Sequence, residues 1–332
     1  MEIPLVRARY AHSFARTLDA LGVPTGRLLQ AHRLPLDLVE RQGGLISAHQ
    51  LWSFAGEAAR REGLPGLGLL AGRLPVVEHG EFGKMVYQAL TLFDAIQTFC
   101  DNAKAEYSRA DFFFDRDREQ AWFCRGPIDG DDAMQRQQVE LYVLIMMIDT
   151  IRLGTGSDWA PATIHLQTDD SKGLQDIPLF RNASMRFGCT TTAVAFPLEA
   201  LSNPLQGDIS VFAKKAAGAD EYGILDFDFG NSLRRLLQNH LGSVPLTLDV
   251  TAEITGIAPR TLQRRLSDSG MTYQQVIEQL RFETSLPLLL DRQLNITAIA
   301  FELGYSDSAH FTRAFRRWAG MSPREYRRRH AA

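Results

Sequence analysis

ITAIAFELGYSDSAHFTRAF (residues 296–315) and LDVTAEITGIAPRTLQRRL (residues 248–266) are two copies of one pattern. Each sets an Ala four residues ahead of a Gly, Ala300–Gly304 and Ala252–Gly256, and follows the Gly with a basic run whose apolar residues recur at i, i+4. Two helices that cross steeply need a small residue where they touch. The turn between them needs a positive φ, which Gly adopts without steric cost. The second helix of each copy has a start signal: Pro259 at a first helical position, and Ser306-Asp307 as capping residues. Leu262 and Leu266 in one copy, and Phe311 and Phe315 in the other, anchor the buried face. The opposite faces carry Arg260, Thr261, Gln263 and Arg264, and Ser306, Ser308, His310, Thr312, Arg313 and Arg316. These side chains suit base edges and phosphates, Arg above all. The pattern predicts two helix-turn-helix units in one chain, bound to double-stranded DNA. A small helical domain with a solvated charged face is the plainer reading, and the repeat weighs against it.

The charge distribution points the same way. The 332 residues sum to −3. From residue 230 onward, however, there are 14 Arg, no Lys and 9 acids, giving +5, against −8 for the remainder. A basic C-terminal third on an acidic body is an electrostatic footprint of nucleic-acid binding. The terminal Arg327, Arg328, Arg329 and His330 read as a solvated tail within reach of phosphates.

The length suggests two domains. We place an N-terminal domain at 1–215, a linker at 216–229 (AAGADEYG within it), and the DNA-binding domain at 230–332. The expected fold class is an α+β N-terminal domain followed by an all-α C-terminal domain with two helix-turn-helix units joined by a linker helix. Helices are predicted over 10–21, 25–32, 47–62, 83–90, 92–107 and 133–153. A hairpin is predicted from Phe112-Phe113-Phe114 and Ala121–Cys124 around DRDREQ, with strands at 163–168 and 192–196 and a turn at 185–188.

Little in the sequence argues for catalysis. Cys100, Cys124 and Cys189 are widely spaced with no CxxC, and read as buried small hydrophobes in a reducing compartment. Glu78, His79 and Glu81 form an EHGE cluster in which a metal or acid-base site competes with an ordinary loop, and the loop is favoured. The glycine-rich GLPGLGLLAG at 63–72 lacks the GK[ST] ending of a phosphate loop. No cofactor and no metal are expected. Phe112, Phe114, Trp122 and Tyr142 are candidates to line a ligand pocket between the hairpin and the long helix, with ordinary core packing as the competing reading. MEIPLVRARY lacks an apolar signal core, and Leu141–Ile148 is too short to span a bilayer, so a cytoplasmic protein without membrane contact is expected.

With these residues in view, the C-terminal hundred residues resemble the DNA-binding domain of the AraC/XylS family of bacterial transcription regulators. TLQRRLSDSGMTYQQVIEQLR (261–281) and IAFELGYSDSAHFTRAFRRWAGMSPREYR (299–327) carry the likeness. It implies seven helices and a recognition helix from each unit in adjacent major grooves, about 34 Å apart. The chain departs from the family pattern in the linker helix, where Ser285 replaces the usual Ala and Pro287 removes an amide donor; an interior Pro costs about 3 kcal/mol or kinks the helix. The N-terminal region resembles the arabinose-binding/dimerisation-type domain of one branch of that family in residues 22–35, 63–72, 79–99 and 180–189. That implies an effector-sensing, dimerising domain, an unknown small-molecule effector, a homodimer, and RNA polymerase as a further partner. A DNA-targeted enzyme with a catalytic N-terminal domain is the alternative; it would need a reactive cysteine in a suitable setting.

Overall fold

The computed structural model describes residues 2–330 except 42, 131, 170–173, 206–222, 224 and 226. Most of the expected linker lies outside the described residues. Two compact units emerge, Pro4–Asp226, and Phe227–Ala332 with Met1–Ile3.

The first unit is built on one long helix. In chain order it comprises β1 (Leu5–Arg7), α1 (Arg9–Ala20), α2 (Gly26–Ala31), α3 (Leu36–Arg41), β2 (Leu45–Ser47), α4 (Ala48–Arg61), α5 (Leu67–Ala71), α6 (Gly80–Tyr87), α7 (Leu92–Asn102), β3 (Phe112–Arg116), β4 (Gln120–Arg125), α8 (Ala133–Thr155), β5 (Thr163–His165), β6 (Ser184–Arg186) and β7 (Thr192–Pro197). Helix starts follow their caps. Ser47 and Thr91 make reciprocal capping boxes with Gln50 and Asp94, and the Asp132 carboxylate accepts from the Gln135 amide. α8 is buried on nearly every face, packed by α4, α5, α7 and β7. The glycine-rich stretch exists for that packing. A Cβ at Gly68 would run into the Gln138 carbonyl, and the Gln138 side chain accepts from the Gly68 amide at 2.8 Å. Glu140, a buried carboxylate on α8, accepts from the Gln167 amide (2.6 Å), the Thr168 amide (2.9 Å) and the Thr192 hydroxyl, so it ties helix to sheet.

The sheet runs β3-β4-β7-β5-β6, antiparallel except for β5 beside β6. β6 corrects the expectation of a turn at 185–188: Ser184–Arg186 is a strand paired to Thr163–His165, and the turn follows at Gly188, φ 64°. Three residues are too few to show a period, and the long-range partner decides. Two short helices, α2 aside, were also invisible to periodicity (α3 and α5), as was the β1–β2 pair.

The second unit has seven helices among its described residues: α9 (Phe229–Gln238), α10 (Leu248–Thr255), α11 (Pro259–Asp268), α12 (Tyr273–Leu290), α13 (Ile296–Glu302), α14 (Ser308–Ala319) and α15 (Pro323–His330). α9 begins just inside the expected linker, with Asp228 accepting from the Asn231 amide. Gly256 (φ 68°) and Gly304 (φ 75°) occupy the two turns in the left-handed region. α12 runs through Pro287, which sits in its last turn, and the Ser285 hydroxyl donates back to the Phe282 carbonyl at 2.6 Å. The lost donor therefore falls where the helix is about to end. Residues 327–330 are not a loose tail: they complete α15, where Arg327 Nε donates to the Leu289 carbonyl at 2.9 Å and His330 stacks on Tyr326 at 4.1 Å.

Candidate functional site

α11 and α14 are the second helices of the two repeats. On α11, Leu262 and Leu266 are fully buried, while Arg260, Gln263 and Arg264 are exposed and Thr261 is half-buried. On α14, Phe311 and Phe315 are fully buried, while His310, Arg313 and Arg316 are exposed. Among the described residues no side-chain hydrogen bond or ion pair engages Arg260, Gln263, Arg264, Arg313 or Arg316. Their guanidinium and amide groups are free for phosphate or base edges.

The remaining candidates on α14 are placed differently. Asp307 is the N-cap and accepts from the His310 amide at 2.8 Å; two backbone amides and the nearby His310 and Arg313 hold its carboxyl below the usual range. Ser306 precedes the cap, exposed, and its hydroxyl is 3.5 Å from the Asp307 carboxylate. His310 is 3.7 Å from that same carboxylate. Ser308 is half-buried, and its carbonyl accepts the Thr312 hydroxyl at 2.7 Å. The Thr312 proton is thus committed to the helix backbone.

A set of residues that the pattern did not single out ties α12 to α10 of the first repeat and to α14 of the second. Tyr273, at the start of α12, shares a 2.7 Å hydrogen bond with Thr251 on α10 and lies 3.1 Å from the Leu246 and Thr247 carbonyls. Further along, Glu278 takes Arg317 of α14 at 2.7 Å and faces Trp318 Nε1 at 3.5 Å. Phe282 packs its ring against Phe315 and Trp318, both at 5.8 Å. Arg281 lies over the Tyr305 ring at 4.6 Å. Arg317 looks like its neighbours Arg313 and Arg316 in sequence, yet it is a brace. Only the pairing across helices separates it from the free arginines.

In the first unit, the four aromatic candidates split. A cavity of about 60 Å³ is lined by Phe112 and Tyr142, together with Trp52, Tyr107, Phe82, Glu106 and Arg125 among others. Phe114 does not line it and instead packs edge-on against Phe93 at 5.9 Å. Trp122 is also elsewhere: it leans on His165 at 4.8 Å and donates to Asp117 at 3.2 Å. The register explains this. Phe112 pairs with Arg125 and Phe114 with Phe123, so Ala121, Phe123 and Arg125 share their face and Trp122 takes the other. Glu106 and Arg125, the cavity's charged residues, stand in no motif, and no local signal marked them.

His79 of the EHGE cluster is fully buried between the short 3-10 helix Val76–Glu78 and α6 rather than in an open loop. Its Nδ1 lies 3.3 Å from the Pro75 and Val76 carbonyls and its Nε2 is 3.2 Å from the Tyr142 hydroxyl. Nδ1 therefore carries the proton, and the ring is a neutral core histidine. Burial, reinforced by Arg9, holds its pKa down to about 4. Glu81 pairs instead with Lys84 at 3.0 Å. Among the described residues no cluster of His, Cys, Asp and Glu could hold a metal ion. Of the three cysteines expected to be buried, Cys124 is, while Cys100 and Cys189 are only half-buried; burial pushes the Cys100 and Cys124 thiols up to about 12. No helix among the described residues is long and apolar enough to cross a membrane.

The comparisons with known proteins divide along the same two units. Residues 22–205 match the family described as the arabinose-binding domain of AraC transcription regulators, N-terminal. Residues 251–329 match a helix-turn-helix domain family. The transcriptional regulator VqsM of Pseudomonas aeruginosa is 36% identical over 139 residues, 40% of this chain and 42% of that protein. The ornithine utilization regulator of the same organism is 42% identical over 95 residues, 29% of this chain and 28% of that one. The transcriptional activator RhaS of Escherichia coli is 36% identical over 98 residues, 29% of this chain and 35% of its own. The chain thus spans well under half the length of each of these relatives. With the N-terminal family covering more than half of its residues and a helix-turn-helix family covering most of the rest, the chain belongs to the AraC family of transcription regulators.

Proposed function

We propose that the protein is a sequence-specific DNA-binding regulator that lays α11 and α14 into adjacent major grooves, about 34 Å apart along the duplex. The observation carrying this reading is that each helix, anchored by a fully buried apolar pair, turns outward arginines that make no side-chain hydrogen bond or ion pair, while α12 is bonded to α10 of the first repeat and to α14 of the second. Arg260, Gln263, Arg264, Arg313 and Arg316 are the contacts we expect to matter most, with Thr261, Ser306, Ser308 and His310 at the margins. Thr312 acts through the backbone of its own helix. The first unit would bind a small-molecule effector and pair two chains, doubling the site. RNA polymerase is the partner through which occupancy would be read, in the cytoplasm.

The test is operator binding at fixed salt. Arg264→Ala and Arg313→Ala should each weaken specific binding more than ten-fold, about 1.4 kcal/mol, within the range of a good base contact, with thermal stability unchanged. The slope of affinity against salt should fall in both. Unchanged affinity in both variants would remove the assignment of the reading faces. Sedimentation of the full chain, with and without DNA, tests the dimer.

A further inference from the structure

We propose that the cavity of the first unit is a carboxylate-binding site, in which Arg125 takes the carboxylate of a small monocarboxylic acid and the aromatic walls take its apolar body. This rests on the reading that the first unit senses an effector, and it specifies the effector's chemistry.

The argument begins in the strand. Positions 121, 123 and 125 of β4 share its inward face. Ala121 and Phe123 are fully buried there, and the alternation calls for a third apolar residue. The chain places an arginine at that position, only 2% exposed. Buried guanidinium groups are normally paired with carboxylates. Among the described residues no carboxylate reaches ion-pair distance of Arg125, and its Nε has no hydrogen-bond partner. Its Nη1 makes two long contacts, 3.3 Å each, to the Gly126 and Pro127 carbonyls. Burial pulls its pKa below the usual value, and Tyr107, Asp111 and Asp129 offset that only from a distance. Asp129 is already engaged by the Tyr107 hydroxyl at 2.9 Å and by Arg109 at 3.2 Å. The one carboxylate in the cavity's lining, Glu106, lies 3.7 Å from Arg9, which offsets its charge.

The guanidinium is also positioned. It lies over the rings of Phe112 at 5.1 Å and Tyr107 at 5.9 Å, both of which line the cavity. Two rings hold its plane, and a planar fork of donors matches a carboxylate bidentately. The rest of the wall, including Trp52, Phe82, Phe99 and Met146, offers apolar contact. About 60 Å³, well short of the roughly 150 Å³ cavity that takes a benzene ring, suits a short-chain acid as it stands and a single-ring acid only with the walls displaced; a sugar ring with its many hydroxyls would find few partners in this lining.

The test uses the full chain with propionate, butyrate and benzoate as probes, and with benzamide and benzylamine as a neutral and a cationic counterpart of benzoate. Thermal melts and calorimetry should show at least one acid binding and raising the melting temperature, with benzamide and benzylamine ineffective. Arg125→Met should stay folded and bind the acid at least ten-fold more weakly. Arg125→Lys, which keeps the charge but loses the fork, should fall between; if the Met variant does not fold, Lys alone must still weaken binding several-fold. Failure of all three acids to bind the wild type, equal binding by the variants, or preference for benzylamine would overturn the proposal, the last by handing the cavity to Glu106. Operator affinity with and without the bound acid separates the two readings. Arg125-dependent binding that leaves DNA affinity unchanged would uphold the carboxylate site and sink the effector reading. A DNA response to benzylamine alone would do the reverse.

Discussion

The two helix-turn-helix repeats share a pattern and differ in how it is made solid. Both turn at a glycine with positive φ, and both bury an i, i+4 apolar pair on the second helix. In the second repeat, Ala300 is fully buried at the helix crossing and a ring cluster of Phe282, Tyr305, Phe311, Phe315 and Tyr326 fills the core. In the first, Ala252 is only half-buried, and Thr251, Ile254 and Thr255 pack inward beside aliphatic Leu262 and Leu266. The first repeat starts its recognition helix on Pro259 without a side-chain cap, and the second on Asp307 with one. The same backbone result is reached with different side chains. What the repeat conserves is conformation at the turn and the period of the buried face, while the core is filled by whatever volume the neighbours leave.

This contrast can be broken most forcefully in the cores. Phe315→Ala should cost about 3–5 kcal/mol, since ring contacts on three sides leave a cavity that cannot collapse, and Leu266→Ala about 2–4 kcal/mol. Denaturation followed by Trp318 fluorescence reads the first loss directly; equal losses would mean the aromatic cluster adds nothing beyond volume.

A pH scan sharpens the comparison next. His240, in the segment between α9 and the first repeat, is 1% exposed, and burial lowers its pKa to about 4; His79 in the other unit behaves alike. Both pKa values are depressed on folding, so the unfolded chain binds the proton first. Stability from each is complete above pH 6.5 and is lost as pH falls toward 4, by about 3 kcal/mol per histidine in the limit. His240→Asn should flatten that part of the profile for unfolding of the second unit. A profile unchanged by this substitution would remove His240 from the acid sensitivity.

The turns should behave alike where the cores do not. Gly256→Ala and Gly304→Ala each force a Cβ into the left-handed region and should each lose about 1–2 kcal/mol. A loss at one turn and none at the other would show that the repeats do not share the turn after all. The smallest effect belongs to the ion pair that braces the second repeat against α12. Glu278→Gln removes a partly exposed ion pair with Arg317 and should cost no more than about 1 kcal/mol. In operator binding, this variant should weaken affinity less than Arg313→Ala does; a larger loss would make Arg317's placement part of recognition.

Much of the second unit was legible without coordinates, and the reasons are local. Glycine at a turn, proline at a first helical position, capping side chains and apolar spacing all act within a few residues of themselves. The repeat therefore determined two helix-turn-helix units and their outward faces, and the charge split determined which third of the chain is basic. In the first unit the long α8, the hairpin and the longer strands were legible for the same reason. The rest depended on partners far along the chain. Register put Trp122 on the face opposite Phe112, and pairing with Thr163–His165 made a strand of Ser184–Arg186. The packing of the Val76–Glu78 3-10 turn on α8 turned His79 from a candidate ligand into a neutral core residue. Arg317 became a brace because Glu278 stands across from it. Arg125 and Glu106 share a cavity though nothing in the 18 positions between them announces it. Backbone conformation and periodicity are encoded locally, so the sequence alone determined them. Which charged groups are buried, and beside what, depends on the dielectric and the neighbours that only the tertiary structure supplies.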